Sequence, residues 1–309
     1  MQQADDYKVS VIVPIYNSED TIRACILSIL RQSLNDIEVI LINDGSKDAS
    51  GSICDDFAKR DHRIKVIHQE NMGRSAARFH GTQVAKGQWL SFVDSDDTLP
   101  ENALRDMYAV CTDDADIVLG NGESLKNENR DVIPINEFRH MAVRAEGTIG
   151  VPWGSLYRRT IVSPYLFDLP REIVNGEDYI FWLRLVFQTE KSVRIVREKV
   201  YNKGEEHTCN NFIWTADYCE KLNDFRMSSI PEEYRRNYLE DTIKDRIVNL
   251  CAVAVCQKRN AWKRSNFFLD IEKDMELLKM VFNWKQFLFL HIPSLRIRKL
   301  LSSIIQRTK

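Results

Sequence analysis

The sequence predicts an α/β fold: a mostly parallel sheet flanked by helices, with a C-terminal helical extension. Three observations carry that prediction. Short β-branched runs alternate with helical patterns as far as residue 120, a polar cluster follows each of the first four runs, and from about Phe212 onward the pattern is helical. Strands alternating with helices in this way mean βαβ units, a parallel sheet and right-handed crossovers.

The runs are Val9–Val13, ended by Pro14, then Ile37–Ile42, Ile64–His68, Trp89–Val93 and Ile117–Leu119. Between them, Thr21–Arg31 places Ile22, Cys25, Ile26, Ile29 and Leu30 on one helical face, and Ser50–Arg60, Arg74–Ala85 and Glu101–Cys111 read similarly. Asn121–Gly147 is polar and irregular, as expected of an insertion or covering loop. A helix over Glu177–Thr189 and a strand over Val193–Tyr201 follow. Farther on, Pro231 starts one helix, Tyr238–Val255 is long and periodic, and Ser265–Phe282 forms another.

Composition excludes several classes. A net charge of -2 supplies no basic field for nucleic acid. The 7 cysteines are odd in number, and none are spaced CxxC, which disfavours a disulfide framework or zinc site and fits a reducing cytoplasm. Met1–Lys8 has no apolar run, so no signal peptide is expected there, and no uncharged stretch approaches the ~20 residues that span a bilayer.

In an open parallel sheet, ligands bind beyond the carboxyl ends of the strands. Here those ends lead into Pro14-Ile15-Tyr16-Asn17-Ser18, Asn43-Asp44-Gly45-Ser46, Gln69-Glu70-Asn71-Met72-Gly73-Arg74 and Asp94-Ser95-Asp96-Asp97. Taken singly, each reads as a turn or a helix cap; four on one edge read as a binding site. Neither GxGxxG nor GxxxxGK[ST] occurs, so a glycine-rich phosphate cradle is absent. A diphosphate would need neutralising by other means. The hard oxygen ligands of Asp94–Asp97 suit Mg²⁺ or Mn²⁺, with substrate phosphates completing the coordination. A plain acidic turn entering the helix at Pro100–Glu101 would need only one acid.

The segments VSVIVPIYN (Val9–Asn17), NDGS (Asn43–Ser46), NMGRSAAR (Asn71–Arg78) and DSDD (Asp94–Asp97) resemble the family 2 glycosyltransferases with the GT-A fold. The resemblance continues in Trp153–Arg158 and Gly176-Glu177-Asp178, covering about residues 8–208. It implies an inverting transfer from a nucleotide-sugar donor, a UDP-sugar, to a saccharide or lipid-linked acceptor. It implies a GT-A domain over residues 1–208, with a nucleotide-binding half at about 8–120 and an acceptor half at 121–208; the helical pattern sets off a further region over 209–309, which the resemblance does not cover. Pro14, Tyr16, Asn17, Asp44, Arg78, Asp94 and Ser95 would hold the nucleotide-sugar. Asp96 would ligate the metal, with His207 closing over it. Trp153 would face the acceptor. Asp178, beside Glu177, would act as general base, because an acceptor hydroxyl is a poor nucleophile until its proton is taken. Asn43 departs from the acid that many relatives carry before the NDGS aspartate. A sugar-1-phosphate nucleotidylyltransferase would want a Gly-rich loop where Pro14–Ser18 stands. A non-catalytic binding protein would not need Asp96 and Asp178 intact.

From Asn283 to Lys309 there is no acid, and Lys285, Arg296, Arg298, Lys299, Arg307 and Lys309 alternate with aromatic and aliphatic residues. This basic amphipathic segment, broken at Pro293, reads as a contact with an anionic membrane at its cytoplasmic face. An ordinary helix packed on the rest of the domain would share the same pattern.

Overall fold

A computed structural model describes residues 7–120, 130–145, 151–204, 212–292 and 294–299. The chain forms two compact units: Met1–Ala142 with Glu146–Glu206, and Val143–Ala145 with His207–Lys309.

The first unit is built on an eight-stranded sheet. In chain order its elements are β1 (Val9–Ile15), α1 (Ile22–Leu30), β2 (Ile37–Asp44), α2 (Ser50–Ala58), β3 (Ile64–Gln69), α3 (Arg74–Val84), β4 (Trp89–Phe92), α4 (Ala103–Tyr108) and β5 (Ala115–Gly120). After these come β6 (Val132–Ile133), α5 (Ile135–Val143), β7 (Ser155–Arg158), α6 (Glu177–Leu185) and β8 (Ser192–Val196). The sheet order is β3-β2-β1-β4-β7-β5-β8-β6. β3, β2, β1 and β4 pair in parallel, while β7 runs antiparallel to both β4 and β5.

Strands covered on both faces need apolar residues at every position, and β1 shows why. Val9, Val11, Val13 and Ile15 join one core with the inner faces of α1 and α4. Ile12 joins the opposite core with Ala77, Phe92, Tyr157 and Trp182. The polar exception, Ser10, is bonded to Glu38 Oε1 at 2.5 Å, and that carboxylate also accepts from the Lys86 and Gly87 amides.

Three sequence expectations for the first unit need correction. Within Asn121–Gly147, the described residues 130–145 hold β6 and α5, and Ile133, Phe138 and Ala142 are core residues rather than part of a covering loop. The strand expected to reach Tyr201 stops at Val196; Arg197, Glu198 and Lys199 turn outward before Val200 and Tyr201 return to the interior. The helix expected to reach Thr189 stops at Leu185, and Thr189 Oγ1 instead donates to buried Asp116 at 2.7 Å.

The second unit contains α7 (Ala216–Ser229), α8 (Leu239–Cys256), α9 (Arg259–Trp262), α10 (Asn266–Leu277) and α11 (Trp284–His291). Ile243, Ile247, Leu250, Trp262, Phe267 and Ile271 form its core. Pro231 precedes a 3₁₀ segment, Glu232–Tyr238, rather than an α-helix. Arg226 and Asp245 form a buried ion pair. Of the basic tail, Arg298 is fully buried: its guanidinium donates to the carbonyls of Ala254 (2.6 Å), Gln257 (2.8 Å) and Ile292 (2.5 Å). Two of those carbonyls lie at the end of α8, where helices leave acceptors unpaired. Arg298 is thus a packing residue. No helix among the described residues is long and apolar enough to cross a membrane.

Candidate active site

The polar clusters after β1, β2, β3 and β4 meet at one edge of the first unit. Pro14 is buried inside β1, so Tyr16, about half exposed, is the side chain that this strand end presents. Asn17, at φ 50, links two loops: its amide donates to Ser46 Oγ (3.1 Å) and its Oδ1 accepts from the Lys47 amide (2.9 Å). The Ser18 and Ser95 hydroxyls lie 2.7 Å apart, joining the β1 loop to the acidic turn.

Asp44 is nearly buried and anchors the next loop. Its Oδ1 accepts from Gln69 Nε2 (2.7 Å) and the Met72 amide (2.8 Å), and its Oδ2 from the Gly73 amide (2.9 Å). Because the Gln69 amide nitrogen donates to Asp44, its oxygen must accept, and His80 Nδ1, 2.6 Å away, supplies that proton. From the other side, Arg171 donates to Asn71 at 2.8 Å. The Asn71–Gly73 loop, and with it the start of α3, is held by side chains from β2, β3, α3 itself and the segment before α6.

Helix α3 then delivers two arginines. Arg78 is almost fully buried and bridges two acids: Nη1 to Asp178 Oδ1 at 2.5 Å and Nη2 to Asp94 Oδ1 at 2.9 Å. Its Nε has no hydrogen-bond partner among the described residues. Burial pulls the Arg78 pKa down, but Asp178 and Asp94 outweigh it, so the group is held firmly charged. Arg74 lies 3.5 Å from Glu177 and 3.9 Å from Asp178.

Glu177 and Asp178 occupy the first turn of α6, which opens on Gly176 at φ 91, a conformation that side-chain-bearing residues resist. Burial first, and the Asp178 charge second, push the Glu177 carboxyl up to about 7, with Arg74 acting the other way. The two neighbours are therefore unlike: Asp178 is tied to a buried guanidinium, and Glu177 is poised to gain or lose a proton near neutrality.

In the acidic turn, each of the three carboxylates has its own setting. Asp94 is bonded to Arg78. Asp97 is largely buried, accepts the Gly204 amide at 2.7 Å and is bonded to the Tyr201 hydroxyl; burial raises its pKa and those two bonds oppose the rise. Among the described residues, Asp96 alone of the three has no donor on its carboxylate. No three His, Cys, Asp or Glu side chains converge as metal ligands among the described residues. The turn instead fits a cation of the kind held by one or two carboxylates and completed by phosphate oxygens. His207 lies outside the described residues.

Trp153 stacks on Tyr201 with ring centroids 4.5 Å apart, and Lys203 Nζ sits 4.7 Å from the indole centroid. A ring face already covered at stacking distance leaves no room for an ammonium, so Lys203 takes the other face. Trp153 thus supports the wall of the site, with Tyr201 stacked on it and the exposed Lys203 beside it. His80, Arg171, Tyr201 and Gly204 are site residues that the motifs did not point to, and Gln69 and Arg74, though inside the third polar cluster, are given no role by it.

Residues 10–165 match the profile described as Glycosyl transferase family 2, about half the chain. The chain belongs to glycosyl transferase family 2. Among curated family members it is 32% identical to the glycosyltransferase GlyA of Streptococcus pneumoniae over 71% of the chain, and 33% identical to the minor teichoic acid biosynthesis protein GgaA of Bacillus subtilis over 74%. It spans 34% and 55% of those relatives' own lengths. The fold of this family 2 chain matches the UDP complex of S. aureus TarS 1-349 with a TM-score of 0.59 at 17% identity, covering 87% of this chain and 88% of that one. It also matches the mannosyltransferase PcManGT of Pyrobaculum calidifontis in complex with GDP-Man and Mn²⁺, at 0.58 and 16%, covering 97% and 87%. The sheet is that of the GT-A transferases.

Proposed function

We propose that this protein is an inverting glycosyltransferase that moves a sugar from a UDP-sugar to a hydroxyl of a saccharide or lipid-linked acceptor, in the assembly of a cell-surface polymer. The single observation that carries this reading is the Arg78 bridge. One guanidinium spans Asp94, on the acidic turn after β4, and Asp178, at the start of α6. A donor at the strand ends and an acceptor at α6 would meet across it.

In this reading Tyr16 stacks on the base and Asp44, with lone pairs left over after three loop bonds, accepts from a base N–H. Asp94 and Ser95 hold the ribose or sugar, and Asn17 fixes the surrounding loops. Asp96 would hold a Mg²⁺ or Mn²⁺ ion, which when bound would neutralise charge on the departing diphosphate. Asp178 takes the acceptor proton as the hydroxyl oxygen bonds to the anomeric carbon, while the bond from that carbon to the phosphate oxygen breaks and the nucleoside diphosphate leaves. Arg78 orients Asp178 by donating to its Oδ1. Glu177 is the second candidate for the base, favoured by its raised pKa.

The cell-surface role is supported by the likeness to GgaA. A lipid-linked acceptor would suit a chain that docks on anionic lipid through Lys285, Arg296 and Lys299, now without Arg298, whose charge is spent inside the second unit. The test is transfer or hydrolysis with a panel of nucleotide sugars, with and without Mn²⁺. UDP-sugar turnover that depends on the cation is the expected result. Turnover of no nucleotide sugar, with or without cation, would overturn the reading. Sedimentation with anionic vesicles of the whole chain, beside one lacking residues 284–309, tests the membrane contact; equal sedimentation would dismiss it.

A further inference from the structure

The segment that follows β8 returns to the acidic turn and grips it along its length. Thr98 and Asn202 exchange both backbone hydrogen bonds, at 3.0 and 2.9 Å. The Tyr201 hydroxyl accepts the Asp94 amide proton at 3.0 Å. Having accepted there, the hydroxyl keeps its own proton for an acceptor, and the Asp97 carboxylate is the neighbour that it influences. The Gly204 amide donates to Asp97 Oδ1 at 2.7 Å. Gly204 also sits so close to the turn that a Cβ on it would lie 2.2 Å from the Asp96 carbonyl oxygen. The Tyr201 ring is fixed by Trp153 and is nearly buried.

The consequence is a division of labour among three acids in four residues. Such a cluster could present two or three carboxylates to a cation in several arrangements. Here the donors from Tyr201 and Gly204 turn Asp97 inward and pin both ends of the turn. Asp96 alone of the three is left without a donor among the described residues.

We propose that Tyr201 and Gly204 are positioning residues for a divalent cation: they hold Asp97 as a brace and leave Asp96 as the carboxylate that binds the ion with the donor's phosphates. This rests on the reading of Asp96 as the cation ligand.

The experiment measures Mn²⁺ binding to the full chain in the presence of UDP, by the loss of the free-ion paramagnetic resonance signal, with no turnover involved. Tyr201→Phe keeps the ring and its stacking but removes the hydroxyl. It is expected to weaken Mn²⁺ binding by about tenfold or more, the range for losing an outer partner of a metal ligand, while UDP binding without cation stays within about twofold. Gly204→Ala should act in the same direction. Asp97→Asn still accepts the Gly204 amide and should keep Mn²⁺ affinity within about threefold, against a loss of an outright ligand in Asp96→Asn. Unchanged Mn²⁺ affinity in Tyr201→Phe beside a clear loss in Asp96→Asn would overturn the proposal alone. Unchanged affinity in Asp96→Asn would overturn the cation reading beneath it. Should Tyr201→Phe not fold, Asp97→Asn decides: a loss as large as that of Asp96→Asn makes Asp97 a ligand and ends the brace.

Discussion

The two halves of the sheet present their acids differently. In the parallel half, the acidic turn after β4 is clamped by donors: Arg78 on Asp94, and Tyr201 and Gly204 on Asp97. In the mixed half, Glu177 and Asp178 stand side by side at a helix start, facing Arg74 and Arg78 from α3. The first arrangement distributes negative charge into fixed dipoles and suits binding. The second leaves a carboxyl whose proton is easily exchanged and suits chemistry. What joins them is one buried arginine, so the halves are electrostatically a single site.

Predictions that would break or sharpen this contrast run from the largest effect downward. Asp96→Ala should lose transfer altogether and abolish cation-dependent UDP binding, with an unaltered melting curve; full activity in EDTA would remove the cation from the donor side. Asp178→Asn keeps the shape, and Asp178 makes no cap hydrogen bond at the start of α6 that the change could lose. It should lower kcat by about 10²–10⁴-fold, the range for a lost general base, with the donor Kd nearly unchanged. If only Glu177→Gln lowered kcat in acceptor saturation kinetics, the base would be the neighbour.

Arg78→Met should destabilise the first unit, by less than the ~3–5 kcal/mol of a fully buried pair, because it strands two partly buried carboxylates rather than removing a pair. A chemical denaturation series on Arg78→Met alone and combined with Asp178→Asn checks this: the double variant should recover part of the loss. The smallest effect concerns Glu177 and pH. Its folded-state pKa of about 7 lies above the ordinary 4.5. The folded chain therefore holds a proton that the unfolded chain has released, and stability falls as pH rises between those two values. Glu177→Gln should match the parent near pH 4.5 and exceed it above pH 7, by up to about 3 kcal/mol. Melting temperatures of both proteins across that range measure it; a constant difference would show that Glu177 keeps an ordinary pKa.

The same two halves differ in how much of them could be read from the sequence. β1, β2, β3 and β4 are legible because each is a continuous apolar run whose ladder is made with neighbours of the same kind, and their loops carry fixed polar words. β7 is not: Ser155–Arg158 has four residues, and Leu156 and Tyr157 are both buried because both sheet faces are covered, so no alternation marks it. β6 and α5 hide in a polar stretch because only Ile133, Phe138 and a few others turn inward. In the site, motif residues such as Asp44, Arg78 and Asp178 could be named, but their partners could not. Tyr201 and Gly204 act through a hydroxyl and a backbone amide on a distant segment, and nothing in local spacing announces a contact across more than a hundred residues. Trp153 likewise sits in a recognisable motif, but its stacking on Tyr201 could not be read from it.

The antiparallel β7 also governs when the sheet can be completed. β5 pairs with β7 on one side and β8 on the other, and both lie later in the chain. As synthesis proceeds, β1 to β4 can assemble as soon as they emerge, but β5 then has no neighbour and β4 keeps a bare edge. Neither edge is closed until Ser155–Arg158 inserts between them. Closing distant segments late is slow, and an unpaired apolar edge is open to other chains while it waits. Weakening β7, for instance by placing a proline at Leu156, would therefore show itself first in poor recovery of soluble protein during expression, before any change in the purified enzyme.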